Sequence, residues 1–139
     1  MKRSVMAVLC AALISFPALA DFDVGMAAYR AKDFKTAFQA FHDVAIQGNE
    51  IAQFNLGVMY YRGEGVDRDL VRALAWVDLS AQRGDEHNIG AEEALILMMD
   101  PAQINEAHAM AASLAVEHGL RYTPPNFKEL DSRLAINPR

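Results

Sequence analysis

The chain has 139 residues, 53% of them hydrophobic, a formal charge of −5 and a single cysteine. That length suits one compact domain and is short for two ordinary ones. The acidic balance repels phosphate backbones and anionic lipid, which argues against nucleic acid as a partner.

Residues 1–20 read as a signal peptide. Lys2 and Arg3 precede an apolar run from Val5 to Phe16, then helix-breaking Pro17, then the small-x-small series Ala18-Leu19-Ala20. Cleavage is expected before Asp21, leaving 119 residues with 11 basic and 18 acidic side chains, a formal charge of −7. Cys10 lies within this leader and follows Leu9 rather than the small residue of a lipoprotein site, so the mature chain has no cysteine and no disulfide framework. No segment approaches the roughly 20 consecutive apolar residues of a membrane span. The expected product is periplasmic or secreted, with no stable membrane insertion after leader cleavage.

The mature part holds 19 alanines against 15 valines, isoleucines and threonines together, a balance that favours helices. A self-comparison shows why the helices recur. At a shift of 36, Asp33, Phe34, Ala37, Phe38, Phe41, Ala45 and Gly48 fall on Asp69, Leu70, Ala73, Leu74, Val77, Ala81 and Gly84. Both copies read as one apolar stripe of an α-helix, opened by an Asp suited to capping and closed by a Gly suited to a left-handed end. At a shift of 32, Val24-Gly25, Ala28, Tyr29 and Arg30 fall on Leu56-Gly57, Tyr60, Tyr61 and Arg62, giving each unit an earlier helix. The two shifts differ because the first connection is Ala31-Lys32 and the second is Gly63-Glu64-Gly65-Val66-Asp67-Arg68. One helix hairpin is used twice, with two turn lengths, and small residues such as Gly25, Gly57, Ala37 and Ala73 allow the helices to approach closely.

The run from Ala52 to Val66, with its Leu56-Gly57 pair and Gly63-Glu64-Gly65-Val66 connection, followed by Asp69, Ala73, Trp76, Ala81 and Gly84, closely resembles the Sel-one-like repeat, a branch of the tetratricopeptide-like helical solenoids. The first copy departs from that pattern: its turn lacks the Gly-x-Gly insertion and is similar to a plain tetratricopeptide turn, and Ala40 stands where the tryptophan would be. The resemblance implies an all-α fold, a short α-solenoid of antiparallel helix hairpins with C-terminal capping helices. It also implies that the first helix of each hairpin lines a concave binding surface.

After Gly84 a third hairpin is expected, with one helix over Glu86 to Met99 and another over Ala102 to His118 that keeps Ile104, Ala107, Ala111, Leu114 and Ala115 on one face. Asp100-Pro101 supplies an N-cap and a first-turn proline, and Gly119 the stop. This hairpin is expected to cap the stack, covering the apolar face its neighbour leaves open. The repeat domain thus covers residues 21–119 and a C-terminal extension residues 120–139, where Asn126 and Glu129 are placed to cap a short helix burying Phe127, Leu130 and Leu134.

Searches for reactive chemistry return structural readings. His42, His87, His108 and His118 form no zincin spacing and read as solvated helix surface, so no metal or cofactor is expected. Ser80, Ser113 and Ser132 lie outside any nucleophile motif. Glu92 and Glu93 diverge as helix neighbours, Asp69 is occupied as a cap, and the Gly63-Glu64-Gly65 loop is too acidic to cradle phosphate. Carboxylates brought together only by folding are invisible at this level.

Phe34, Phe38, Phe41, Tyr60 and Trp76 fit between stacked helices. The remaining first-helix residues, Met26, Tyr29 and Arg30 in one copy and Phe54, Asn55, Val58, Tyr61 and Arg62 in the next, form the expected partner-binding stripe, since aromatic and arginine groups dominate binding hot spots. The functional expectation is an exported, non-catalytic scaffold that binds a protein or peptide in the cell envelope. The alternative is a cell-wall enzyme acting on β-lactam or peptidoglycan. That alternative is implied by relatives of the family, which tend to be rich in the cysteines this mature chain lacks.

Overall fold

Each of the two matching stripes begins where an aspartate turns its side chain back onto the chain: Asp33 accepts from the amide of Thr36 at 3.3 Å and Asp69 from that of Arg72 at 2.9 Å. In the computed structural model, which describes residues 17–126, these caps open the second and fourth of six α-helices. The helices are α1 (Pro17–Arg30), α2 (Phe34–Ala45), α3 (Glu50–Arg62), α4 (Leu70–Ser80), α5 (Glu86–Ile96) and α6 (Pro101–His118), with a short 3-10 turn, Ala81–Arg83, after α4. Among the described residues there is no strand, and no helix is long and apolar enough to cross a membrane. The protein is an all-α helical-repeat solenoid.

The two copies nest in the same way. A methyl placed on Gly25 would stand 2.7 Å from the Phe41 ring, and one on Gly57 would stand 2.5 Å from Cγ2 of Val77. Gly25 and Gly57 are equivalent at one shift, and Phe41 and Val77 at the other. Each early helix therefore lowers a glycine onto the same position of its partner, which brings α1 against α2 and α3 against α4. The connections differ as their lengths demand. Lys32 carries the short first turn in a left-handed conformation, φ 61°, whereas Gly63 and Gly65 carry the longer one at φ 70° and 76°. Gly65 also lies against the backbone of Phe34, leaving no space for a side chain.

The third unit departs from the expected paired hairpin. Both α5 and α6 pack on α4 more extensively than on each other. Consequently α4 lies at the centre, with every residue from Ala73 to Ser80 buried, whereas α2 buries only Ala37, Phe41, Val44 and Ala45. One apolar cluster joins Phe41, Leu56, Met59, Trp76 and Leu79 to Ala111 and Ala115, and a second joins Leu74 and Val77 to Leu95, Ile96 and Ala107. The start of α6 is as the sequence predicts: Asp100 and Gln103 form a reciprocal capping box around Pro101. The extension after Gly119 packs back onto the core through Leu120 and Tyr122.

Pro17, expected to break a helix, instead opens α1, a position where its missing amide hydrogen is harmless. The helix runs on through Ala20 and Asp21. The rest of the expected leader, residues 1–16, and the short helix expected to bury Phe127, Leu130 and Leu134 lie outside the described residues.

Candidate interaction surface

The expected partner-binding residues fall on α1 and α3, the first helices of their units. Tyr29, in the last turn of α1, donates its phenol hydrogen to Oε2 of Glu64 at 2.7 Å and accepts from Nη1 of Arg62 at 3.1 Å. Arg62 reaches the same carboxylate at 4.0 Å. Burial, and then the bond to Glu64, raise the Tyr29 pKa above its usual 10.0, so the phenol remains a donor. The other side of the ring meets Phe34 edge-on at 5.3 Å, so this tyrosine links the core to a polar surface. One turn earlier, Asn55 points its side-chain amide at the sulfur of Met26, 4.0 Å away.

Further along α3 the surface becomes apolar. Phe54 packs at 5.0 Å against the ring of His87 on α5 and is half-buried over the second apolar cluster. Val58 and Tyr61 form one wall of a pocket of about 190 Å³, and Ala91, Ala94 and Leu95 of α5, with Met98 in the turn that follows, form the other. Gly57 and Val77 make its floor. Tyr61 is 37% exposed and Met98 46%. The guanidinium of Arg68 lies over the Tyr61 ring, 5.4 Å from its centre, while its Nε donates to the Tyr61 carbonyl at 2.9 Å. Arg30 is exposed at the end of α1.

Of the eight expected residues, Met26 meets Asn55, Tyr29 meets Arg62, and Val58 and Tyr61 share the pocket, whereas Phe54 pairs with His87 of α5 and Arg30 stands at the edge. Arg68 and the α5 wall lie outside the expected set: in the sequence Arg68 is part of a connection, and the helical spacing of Ala91, Ala94, Leu95 and Met98 is the available signal.

A second cluster corrects the reading of His108. It is buried, with Nδ1 2.8 Å from Oδ2 of Asp78. The same oxygen accepts the phenol of Tyr122 at 2.6 Å. Burial first, then the bond to Asp78, and a charge contribution from Glu92, push the Tyr122 pKa far above its ordinary value. Asp78 and Glu92, both buried, line a cavity of about 440 Å³ walled by Pro124 and Pro125. Gln82 holds this segment by accepting from the Thr123 amide at 2.7 Å. No group of three or more His, Cys, Asp or Glu among the described residues is arranged to hold a metal ion.

The stacked units and their shared face define an all-α helical-repeat protein. Residues 51–85 match the model of the Sel1 repeat, the Sel-one-like unit. A putative sel1-like repeat-containing protein of Acanthamoeba polyphaga mimivirus is 36% identical over 42 residues, covering 30% of this chain and 7% of that protein. The crystal structure of a protective antigen from uropathogenic Escherichia coli strains, which displays an SLR fold, superposes with a TM-score of 0.69 at 24% identity. That match covers 88% of this chain and 26% of the antigen, so the present chain spans about a quarter of it.

Proposed function

We propose that the protein is an exported, non-catalytic scaffold that holds a protein or peptide partner in the cell envelope on the face formed by α1, α3 and α5. The observation that carries this reading is that successive residues of α3 serve two kinds of contact, Arg62 in the polar group with Tyr29 and Glu64 and Tyr61 in the wall of the apolar pocket. It combines prepositioned polar groups with an uncovered apolar patch, the combination that anchors partners. Export rests on the leader pattern of residues 1–20. Cell fractionation should recover the protein in the periplasm with its amino terminus at Asp21, and recovery in the cytoplasm with its amino terminus at Met1 counts against export. Binding is tested with Tyr61→Ala and Arg62→Ala, which should keep helicity and melting temperature while losing partner retention. Equal loss of folding in both would defeat the reading.

The buried Asp78 and Glu92 beside a cavity favour one second reading, the cell-wall enzyme. Incubation with muropeptides or a chromogenic β-lactam separates the two. Turnover abolished by Glu92→Gln supports the enzyme, and absence of turnover supports the scaffold.

A further inference from the structure

We infer that the pocket between α3 and α5 takes one aliphatic side chain of a partner segment whose flanking residues are acidic. This inference rests on the scaffold reading and specifies its ligand. The walls are almost entirely carbon: the Tyr61 ring, Val58, and the alanine, leucine and methionine side chains of α5 and the turn that follows it. A volume of about 190 Å³ admits a single branched aliphatic group, since an apolar cavity of roughly 150 Å³ already accepts benzene. The floor is set by Gly57. Its missing side chain lets α3 settle on Val77, so the pocket is a product of repeat packing rather than of a movable loop.

Charge selects what surrounds that aliphatic group. Beside the Tyr61 wall, Arg68 is held by its ring contact and by its bond to the Tyr61 carbonyl, and among the described residues it makes no ion pair. Arg62 stands on the next position of α3, shared with Glu64 and Tyr29. On the far side the pocket is lined by Ala91, Ala94 and Leu95 of α5 and by Met98 in the turn that follows, and no carboxylate is among the lining residues. In a chain with a formal charge of −5, a pocket with no carboxylate in its lining and a fixed guanidinium against its Tyr61 wall is a locally basic spot, the nearby Glu64 being already engaged by Arg62 and Tyr29. An acidic residue beside the buried aliphatic group would meet that guanidinium, and a lysine there would be repelled.

The test uses the full chain, isotopically labelled, and three acetylated and amidated heptapeptides. The first has leucine at its centre with a glutamate on each side, the second replaces the leucine with alanine, and the third replaces both glutamates with lysine. Titration of the first should move the backbone amide signals of Val58, Tyr61, Ala94 and Met98. The alanine peptide should bind roughly tenfold or more weakly. The lysine peptide should bind roughly threefold to fivefold more weakly, a preference that Arg68→Gln erases while circular dichroism stays unchanged. Ala94→Phe, at an exposed site, should fill the pocket and abolish the shifts. Equal binding of the glutamate and lysine peptides, shifts centred elsewhere, or no shifts would overturn the inference. If Ala94→Phe leaves retention of a native partner untouched while Tyr61→Ala and Arg62→Ala still lose it, the pocket fails and the scaffold reading stands. If neither Tyr61→Ala nor Arg62→Ala affects retention, the scaffold reading itself fails.

Discussion

Helices α2 and α4 begin from the same pattern and end in different surroundings. Their shared stripe, Ala37 and Phe41 in one and Ala73 and Val77 in the other, is buried in both. The difference lies on the opposite face. Gln39, Ala40, His42 and Asp43 of α2 become Ala75, Trp76, Asp78 and Leu79 of α4, all four buried beneath the third unit. A repeat inside the stack needs two contact faces, whereas the first repeat needs only one. Those four exchanges convert a largely polar flank into a second interface. Asp78 is the exception that stays polar, and it is accommodated because His108 and Tyr122 both meet its carboxylate.

That comparison can be broken most severely at Asp78. Asp78→Ala removes the acceptor shared by buried His108 and half-buried Tyr122, at about 1–3 kcal/mol each, a fall in melting temperature on the order of 10–20 °C. His42→Ala, at the equivalent position of α2, should stay within about 0.5 kcal/mol. Thermal melts of the two variants check the contrast, and similar losses would mean that α4 has no second interface.

Gly57→Ala comes next. The added methyl meets Val77 and the backbone oxygen of Ala73, an overpacking that costs about 1–3 kcal/mol in urea unfolding. Asp69→Ala should cost about 1 kcal/mol, the usual value for a lost N-cap, and should shift the urea midpoint without changing its slope.

The smallest effect is on alkaline stability. The Tyr122 phenol is held above its usual 10.0 in the folded state, so unfolding favours its ionisation. Its contribution is complete below pH 10 and declines as pH rises beyond that value. Denaturant midpoints measured on either side of pH 10 should show this decline, and it should be shallower in Asp78→Asn, which removes the carboxylate charge.

The parts of the fold written as local patterns were legible in the sequence. Paired aspartate caps, the glycine at each helix approach, the two turn lengths and the Asp100-Pro101 helix start all act within a few residues or recur at a fixed shift. The packing of α6 on α4 was not legible, because it depends on which faces meet across about thirty residues. His108 shows the same limit. In sequence it is a polar residue on a polar helix flank, and the bond that accompanies its burial comes from Asp78, thirty residues away in the chain. Of the candidate surface, α1 and α3 could be named because the repeat marks their equivalent positions. Arg68 and the α5 wall could not, since a third unit that diverges from the repeat carries no such mark.

Residue-resolved hydrogen exchange tests most directly whether α4 is the shared centre and the α1–α3–α5 face is free for binding. Amides in the middle of α4 should exchange only through global unfolding, while α1 and the pocket stripe of α5 open at lower free energy. Exchange from α4 as fast as from α1 would contradict the account.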